Sequence, residues 1–418
     1  MNQQAIKPLV LSFRTPPAVR PQSILIGKMI NQWINQGLKP VIVTYDSNGD
    51  WNIDLDIYKI PQLRISRYLN NRYINRVYPV KFLLEDHYYR KMYKKIKGLV
   101  KKHNINLIYS FSNPIASNII GTMLSKRLGI KFVASFSDPW YDSPLQRFTH
   151  LERRGVFKRE KFIIENSNKV IFCNDVAQKL IMKKYPEKWL EKTAVIPHCF
   201  DLKDYPEVKN DKASTVPLES PEQQQRDSND KFLISHIGAF YPERNPKPLF
   251  TALSAVLKSK PELKGKVKLN LIGGTSNYTG YRLDDLKNLL KSYNIEGIAE
   301  IIPPVEYKES LRQMKLSDLL IVIDANYAGS PFLTSKAIDY LGSGNPIIGI
   351  TPKNSPTDSL LKNIGYQSFS YDEINELTNY LENIIKNKTK IKPNQDLLSQ
   401  YDVKNTTKKL IGYFREII

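Results

Sequence analysis

Cysteine is nearly absent from this chain of 418 residues, which holds only Cys173 and Cys199. A disulfide framework is therefore excluded, and a reducing, cytoplasmic compartment fits. Histidine is scarce as well, with five scattered residues and no Cys/His cluster at zinc spacing, so no metal site is expected. No apolar run approaches the roughly 20 residues needed to cross a bilayer. The opening MNQQAIKPLVLSF lacks the charged-then-apolar layout of a secretion signal. Repeats and heptad arrays are also missing. These absences leave a globular protein, either soluble or lying on a membrane surface. Its length suits two domains of about 150–200 residues each, and 41% apolar residues allow each a core.

Charge is abundant and unevenly placed. Residues 1–200 carry 33 Lys+Arg against 14 Asp+Glu, a balance of +19; residues 201–418 carry 29 against 27, a balance of +2. A basic composition throughout would have affected both halves, so one half is expected to face a polyanion. Arg64–Lys102 alone holds twelve basic and two acidic residues, interleaved with Tyr68, Tyr73, Tyr78, Tyr88, Tyr89 and Tyr93. Arg147–Lys161 adds Arg153, Arg154, Lys158, Arg159 and Lys161 around Phe148, Leu151, Val156 and Phe157. Cationic segments with apolar faces suit an anionic membrane surface. Single-stranded nucleic acid also recruits basic and aromatic residues, but no nucleic-acid-binding motif accompanies them, and no nucleic-acid partner is expected.

Short apolar runs alternate with amphipathic stretches, the pattern of βαβ units and a parallel sheet. Strands are expected at Pro8–Phe13, Pro40–Tyr45, Leu107–Phe111, Phe132–Phe136, Val170–Cys173 and Thr193–Pro197, and again at Phe232–Ile237, Val267–Ile272, Glu300–Ile302, Leu319–Ile323 and Pro346–Ile350. Between the two sets, Glu207–Asp230 is polar and almost without large apolar residues. We therefore expect residues 1–200 as one Rossmann-like domain, 201–230 as a linker and 231–418 as a second, whose last helix is free to pack back on the first. Two such open sheets put a ligand cleft at the carboxyl ends of their strands, so strand-to-helix junctions are the places to search.

Two junctions stand out. His236–Leu249, HIGAFYPERNPKPL, follows a buried strand. Gly238 lets backbone approach a ligand, while Arg244 and Lys247 stand where a helix begins. An arginine fork, a lysine point charge and free helix-start N–H groups suit a diphosphate, although a turn with solvated side chains has the same spelling. The second junction, Tyr327–Pro346 (YAGSPFLTSKAIDYLGSGNP), opens a helix with Thr334 and Ser335, puts Lys336 in its first turn and Asp339 three residues on. Lys336 suits a phosphate and Asp339 a ribose hydroxyl; a local Lys336–Asp339 pair is the plainer reading.

In order along the chain, these segments resemble the retaining glycosyltransferases of family 4, which have the GT-B fold. The resemblance is to bacterial polysaccharide and lipid-linked glycan transferases that read G-x-x-Y-x-x-R-N-P and P-x-x-x-x-K-x-x-(E/D)-Y-L-x-x-G-x-P. Val195–Asp201 (VIPHCFD), Leu271–Gly274 (LIGG) and Phe132–Trp140 (FVASFSDPW) add to it. The resemblance implies two facing Rossmann-like domains with an interdomain cleft, and retaining transfer from a nucleoside-diphosphate sugar to a glycan or lipid-linked acceptor. It implies no cofactor and no essential metal, and work at the inner face of the cell membrane. Catalysis would fall to Asp138, Arg244 and Lys247, and the nucleotide sugar to Gly238, Arg244, Lys247, Gly273, Thr334, Ser335, Lys336 and Asp339. The sequence departs from the family at three places: Pro331 replaces the first of two paired glutamates, Ser137 stands where a histidine is common, and the Arg14–Ser23 loop, with Arg20, lacks glycine. The lost glutamate and Ser137 support a second reading, a non-catalytic partner of an active transferase; a sugar-nucleotide epimerase shares the fold, but more acidic and histidine residues are expected in its cleft.

Overall fold

The computed structural model describes residues 5–65, 80–207, 231–275, 280–389 and 391–418. Two compact units emerge, one of residues 1–199 with 403–418, the other of residues 200–402. The second unit thus ends at Asp402 instead of the C-terminus, and the last helix belongs to the first. Most of the segment expected as a linker, 208–230, lies outside the described residues.

The first unit is a parallel sheet whose strands, numbered in chain order, are β1 (Pro8–Leu11), β2 (Val41–Tyr45), β3 (Ile57–Ile60), β4 (Leu107–Phe111), β5 (Lys131–Phe136), β6 (Lys169–Phe172) and β7 (Thr193–Val195). Their order is β3-β2-β1-β4-β5-β6-β7, with Leu9 facing Val41 on one side and Ile108 on the other. Successive side chains point to opposite faces, and both faces are covered, so the strands are mostly apolar, broken by a few residues such as Thr44 and Ser110. Leu9, Leu11 and Ile108 enter one core with α2 (Val80–Lys102), α3 (Ala116–Leu128) and α4 (His150–Glu165). Val10, Leu107 and Tyr109 enter another, with α1 (Pro21–Asn35) and the terminal α13 (Val403–Ile417). There the Trp33 and Phe414 rings meet edge to face at 5.3 Å. A short helix α5 (Asp175–Met182) follows β6.

The second unit repeats the plan with β8 (Phe232–Ile237), β9 (Val267–Ile272), β10 (Ala299–Ile302), β11 (Leu319–Ile323), β12 (Ile347–Ile350) and β13 (Gln367–Phe369), all parallel in the order β10-β9-β8-β11-β12-β13. One core joins Ile234, Leu269 and Ile321 with α6 (Lys247–Ser259), α7 (Leu283–Ser292) and α11 (Ile374–Asn387). The other joins Leu320, Val322 and Ile347 with α8 (Tyr307–Leu316), α9 (Ser335–Ser343) and α10 (Pro356–Ile364). A one-turn helix, α12 (Gln395–Ser399), precedes the return to the first unit.

In each sheet the chain starts in the middle, builds to one edge, then crosses to build the other. Strand order therefore reverses between β1 and β4 in one unit and between β8 and β11 in the other. Connections leave a reversal point in opposite directions, which opens a crevice at the carboxyl ends of those two strands.

Candidate anion-binding site

At the reversal point of the second unit, β8 ends in Gly238, whose N–H donates to the Ile272 carbonyl at 2.7 Å. Gly238 has φ +129°, and a Cβ there would lie 2.3 Å from Lys336 Nζ, so only glycine leaves room for that amine. Gly273, at the end of β9 with φ +68°, comes against the Gly238 backbone. Lys336 is the second residue of α9, and its Nζ has neither accessible surface nor a hydrogen-bond partner, although its stem is half-buried. Burial first, then the Arg244 charge, drives its pKa well below the usual lysine range, with Asp324 opposing.

Arg244 closes a tight turn with Tyr241: the Tyr241 N–H donates to the Arg244 carbonyl at 3.2 Å, and the guanidinium lies 4.9 Å from the Tyr241 ring centre. Its Nε is buried and unpartnered. Asp324 directly follows β11, its N–H bonded to the Ile350 carbonyl at 3.0 Å. One carboxylate oxygen, Oδ2, is buried without a hydrogen bond. Burial raises the Asp324 pKa, while the Thr357 hydroxyl, Arg244 and Lys336 pull it down. His236 in β8 is fully buried, stacked on Phe240 at 4.5 Å, with Nδ1 2.8 Å from the Ile321 carbonyl and Nε2 unpartnered. Burial and the nearby Lys336 hold it well below the usual imidazole range.

Four buried polar atoms without hydrogen bonds, on Arg244, Asp324 and Lys336, whose charges act on one another, and on the neighbouring His236, carry a desolvation cost of about 1–3 kcal/mol each. Native proteins satisfy nearly all such groups. With Arg244 and Lys336 set against one carboxylate, the arrangement suits an anion. Thr334, the N-cap of α9, makes no side-chain cap, so no side chain competes for the helix-start N–H groups beside Ser335.

The structure separates some residues that the sequence had grouped. Lys247 begins α6 as an exposed residue, and the charges acting on His236, Asp324 and Lys336 do not include its own. The local Lys336–Asp339 pair does not form. Lys336 turns to Gly238, while Asp339 Oδ1 accepts from the Tyr307 hydroxyl at 3.1 Å and its carbonyl from Tyr205 at 2.5 Å. His236 and Asp324 were missed because each stands at or within an apolar run (LISHIG, LLIVID), where a polar residue reads as a strand filler.

In the first unit, Asp138 follows β5 beside the β1/β4 reversal point, and its half-buried Oδ2 accepts from Asn113 Nδ2 at 2.9 Å. Surrounding protein raises its pKa. The loop is pinned on both sides. Ser112 Oγ accepts from the Ser137 N–H at 2.9 Å, and the Cys173 thiol, pushed up to about 12 by burial and by Asp138, donates to the Ser137 carbonyl. Further along, the fully buried Glu160 accepts from the Tyr141 N–H (3.0 Å), the Tyr185 hydroxyl (2.9 Å) and Lys184 (2.9 Å). Arg20 is exposed at the N-cap of α1.

The basic face differs from its expected form. Tyr88, Tyr89 and Tyr93 share the inward stripe of α2 and lie in the core, because helical spacing turns them away from Arg90, Lys91, Lys94 and Lys95, which are exposed. Arg159 is taken up by Glu85 and Asp86. Tyr68, Tyr73 and Tyr78 lie outside the described residues. What remains outward is a cationic surface with Leu83, Leu145 and Leu151 exposed among its charges. Among the described residues no helix is long and apolar enough to cross a membrane.

No family model matches this chain. A D-inositol 3-phosphate glycosyltransferase of Kineococcus radiotolerans is 22% identical over 175 residues, which is 42% of this chain and 38% of that protein. Among solved structures, Anabaena Alr3699/HepE in complex with UDP superposes with TM-score 0.69 at 15% identity, over 98% of this chain and all of that one. A putative UDP-N-acetylglucosamine 2-epimerase from Listeria monocytogenes superposes with TM-score 0.59 at 10% identity, over 99% of this chain and 96% of that one. At these identities the likeness establishes architecture: two parallel-sheet α/β domains of the GT-B fold.

Proposed function

We propose that the chain is a glycosyltransferase of the retaining, family 4-like type, moving a sugar from a nucleoside-diphosphate sugar to a glycan or lipid-linked acceptor at an anionic membrane surface. One observation carries the reading: Lys336 Nζ and Arg244 Nε, buried and unpartnered, at the strand-order reversal of the second unit. The distant transferase relative and the UDP held by the Anabaena protein support it.

In such a transfer the bond from the anomeric carbon to the diphosphate oxygen breaks, and a bond from the acceptor oxygen to that carbon forms on the same face. The acceptor proton leaves with the diphosphate. Charge developing on the leaving group is the main cost, and groups already fixed around it stabilise the transition state more than the ground state. Arg244, Lys336 and the first N–H groups of α9 fill that role in this reading, with Lys247 adding charge at the start of α6. Asp339 serves the ribose and Asp138 the transferred sugar. Fixed cations do the work that a metal does elsewhere, so turnover is expected to survive EDTA.

The test is release of nucleoside diphosphate from UDP-, GDP- and dTDP-sugars in the presence of acceptor glycans. Arg244→Ala and Lys336→Ala are each expected to lower kcat/KM by about a hundredfold, the scale of one lost transition-state contact. Pro331 and Ser137 favour a second reading, a non-catalytic partner of an active transferase. Absence of both donor binding and turnover across that panel would establish the partner reading.

A further inference from the structure

Asp339 stands in the second unit with its carboxylate already in a protein hydrogen bond. Tyr307, the first residue of α8, donates its hydroxyl to Asp339 Oδ1 at 3.1 Å. The first turn of α8 is well closed: the Ser310 N–H donates to the Glu306 carbonyl at 2.9 Å, and its hydroxyl to the Tyr307 carbonyl at 2.6 Å. The Tyr307 ring packs on the core that holds Leu311, Met314, Ala337 and Ile338, so packing fixes where its hydroxyl points. Burial, and then the Asp339 charge, raise the Tyr307 pKa, so the hydroxyl keeps its proton and remains a donor.

The main chain of Asp339 is held as well. Its carbonyl accepts from the Tyr205 hydroxyl at 2.5 Å. Tyr205 comes that close because α9 carries Gly342 three residues on, where a Cβ would collide with the same hydroxyl. Two tyrosines thus grip one residue, a single turn beyond Lys336. Helical rise puts Asp339 about 4.5 Å further along α9 than Lys336, and in a nucleoside diphosphate the ribose is the immediate neighbour of the diphosphate. Each carboxylate oxygen has about two acceptor positions, so a bond from Tyr307 orients the group and still lets it accept from a diol.

We propose that Tyr307 is a positioning residue of the nucleotide site: its hydroxyl holds the Asp339 carboxylate in the orientation that accepts from the ribose hydroxyls of a nucleoside diphosphate. The inference rests on the reading of Asp339 as the ribose group. A carboxylate free to rotate loses that freedom when ligand arrives, which lowers affinity; one already held by Tyr307 does not.

The probes are UDP and dideoxy-UDP, which share base and diphosphate and differ only in the two ribose hydroxyls. In calorimetric titrations the parent is expected to prefer UDP by about tenfold or more, the scale of a hydrogen bond to a charged group. Tyr307→Phe keeps the ring in its packing and removes the hydroxyl. It is expected to weaken UDP by about threefold to tenfold and to leave dideoxy-UDP within about twofold, so that the preference narrows. Asp339→Ala is expected to abolish the preference. Adding Tyr307→Phe to it should change neither affinity further, because the tyrosine acts through the carboxylate. Lys336→Ala is expected to weaken both probes alike, since both carry the diphosphate.

An equal loss for both probes in Tyr307→Phe is the mark of a tyrosine that only joins α8 to α9, and it overturns the inference. A preference left intact by that variant overturns it too. A parent that binds both probes equally removes the ribose reading of Asp339 and the inference with it, while weaker UDP binding in Lys336→Ala would still stand for the diphosphate site. A parent that binds no UDP removes both.

Discussion

A buried lysine nitrogen without a hydrogen-bond partner from the protein works against the fold that contains it. Because the folded pKa of Lys336 lies below its unfolded value, the unfolded chain binds more protons between the two, and stability there rises with pH. Lys336→Met removes both the buried amine and that slope. The variant is expected to melt higher than the parent at neutral pH, by about 2–4 °C per kcal/mol recovered, with the difference shrinking as pH approaches 10. It should also lose UDP affinity, the usual exchange between stability and function at a strained site; scanning calorimetry across pH, with and without UDP, checks both. Gly238→Ala tests the close approach. Its methyl group would enter the space of Lys336 Nζ at a positive φ, so affinity for UDP is expected to fall about tenfold or more together with a lower Tm. Gly238, Arg244 and Lys336 were legible in the sequence because a glycine after an apolar run and a cation at a helix start mark a junction by position alone. Asp324 and His236 were not, since their roles depend on which strands become neighbours, and strand order is not written in any local spacing.

At the scale of elements, central strands were the most legible. Leu107–Phe111, Phe232–Ile237, Val267–Ile272 and Leu319–Ile323 are observed with the expected limits, because a strand buried on both faces is a mostly apolar run, even where Ser110, His236 or Lys268 interrupts it. The edge strands β3 and β13 were missed: one alternates with half-buried residues and the other is three residues long. Helix α4 was read only as a basic segment, since Glu160 interrupts the apolar stripe of Val156, Ile163 and Ile164. That glutamate is fully buried with Lys184, Tyr185 and the Tyr141 N–H as partners, so Glu160→Ala leaves the Tyr141 N–H and the Tyr185 hydroxyl without their acceptor, while Lys184 keeps Asp142, and is expected to cost about 2–4 kcal/mol. Thr149→Ala, which opens the capping box of the same helix, should cost only about 1 kcal/mol. Urea melts of the two variants decide whether buried charge or helix capping dominates in α4. The terminal helix gives a parallel test. Phe414→Ala, against Trp33 and Tyr109, is expected to remove about 3–5 kcal/mol from the first unit and leave unfolding of the second unchanged. Hydrogen exchange resolved by peptide distinguishes the two units.

Over the whole molecule, the division into units sharpens the charge asymmetry. With α13 counted in the first unit, that unit carries 37 Lys+Arg against 15 Asp+Glu, a balance of +22, and the second carries 25 against 26, a balance of −1. Sixteen residues at the end of the chain therefore bring their cations to the unit already basic, which a uniform compositional bias does not explain. With Tyr88, Tyr89 and Tyr93 in the core, the proposed membrane association loses aromatic anchoring through α2 and would rest on exposed lysines and arginines with a few leucines. Such binding is electrostatic first. Each cation near an anionic bilayer contributes about 1 kcal/mol, and the attraction fades within a Debye length of about 8 Å at physiological salt. The chain is expected to float with phosphatidylglycerol-containing vesicles and not with neutral ones, and to be released by about 1 M salt, where the Debye length falls to about 3 Å. Replacing Arg90, Lys91, Lys94 and Lys95 together by glutamate should abolish flotation while leaving UDP affinity intact, since none of them belongs to the second unit. Equal recovery on neutral and anionic vesicles, unmoved by salt, would mean that the basic face serves something other than a membrane.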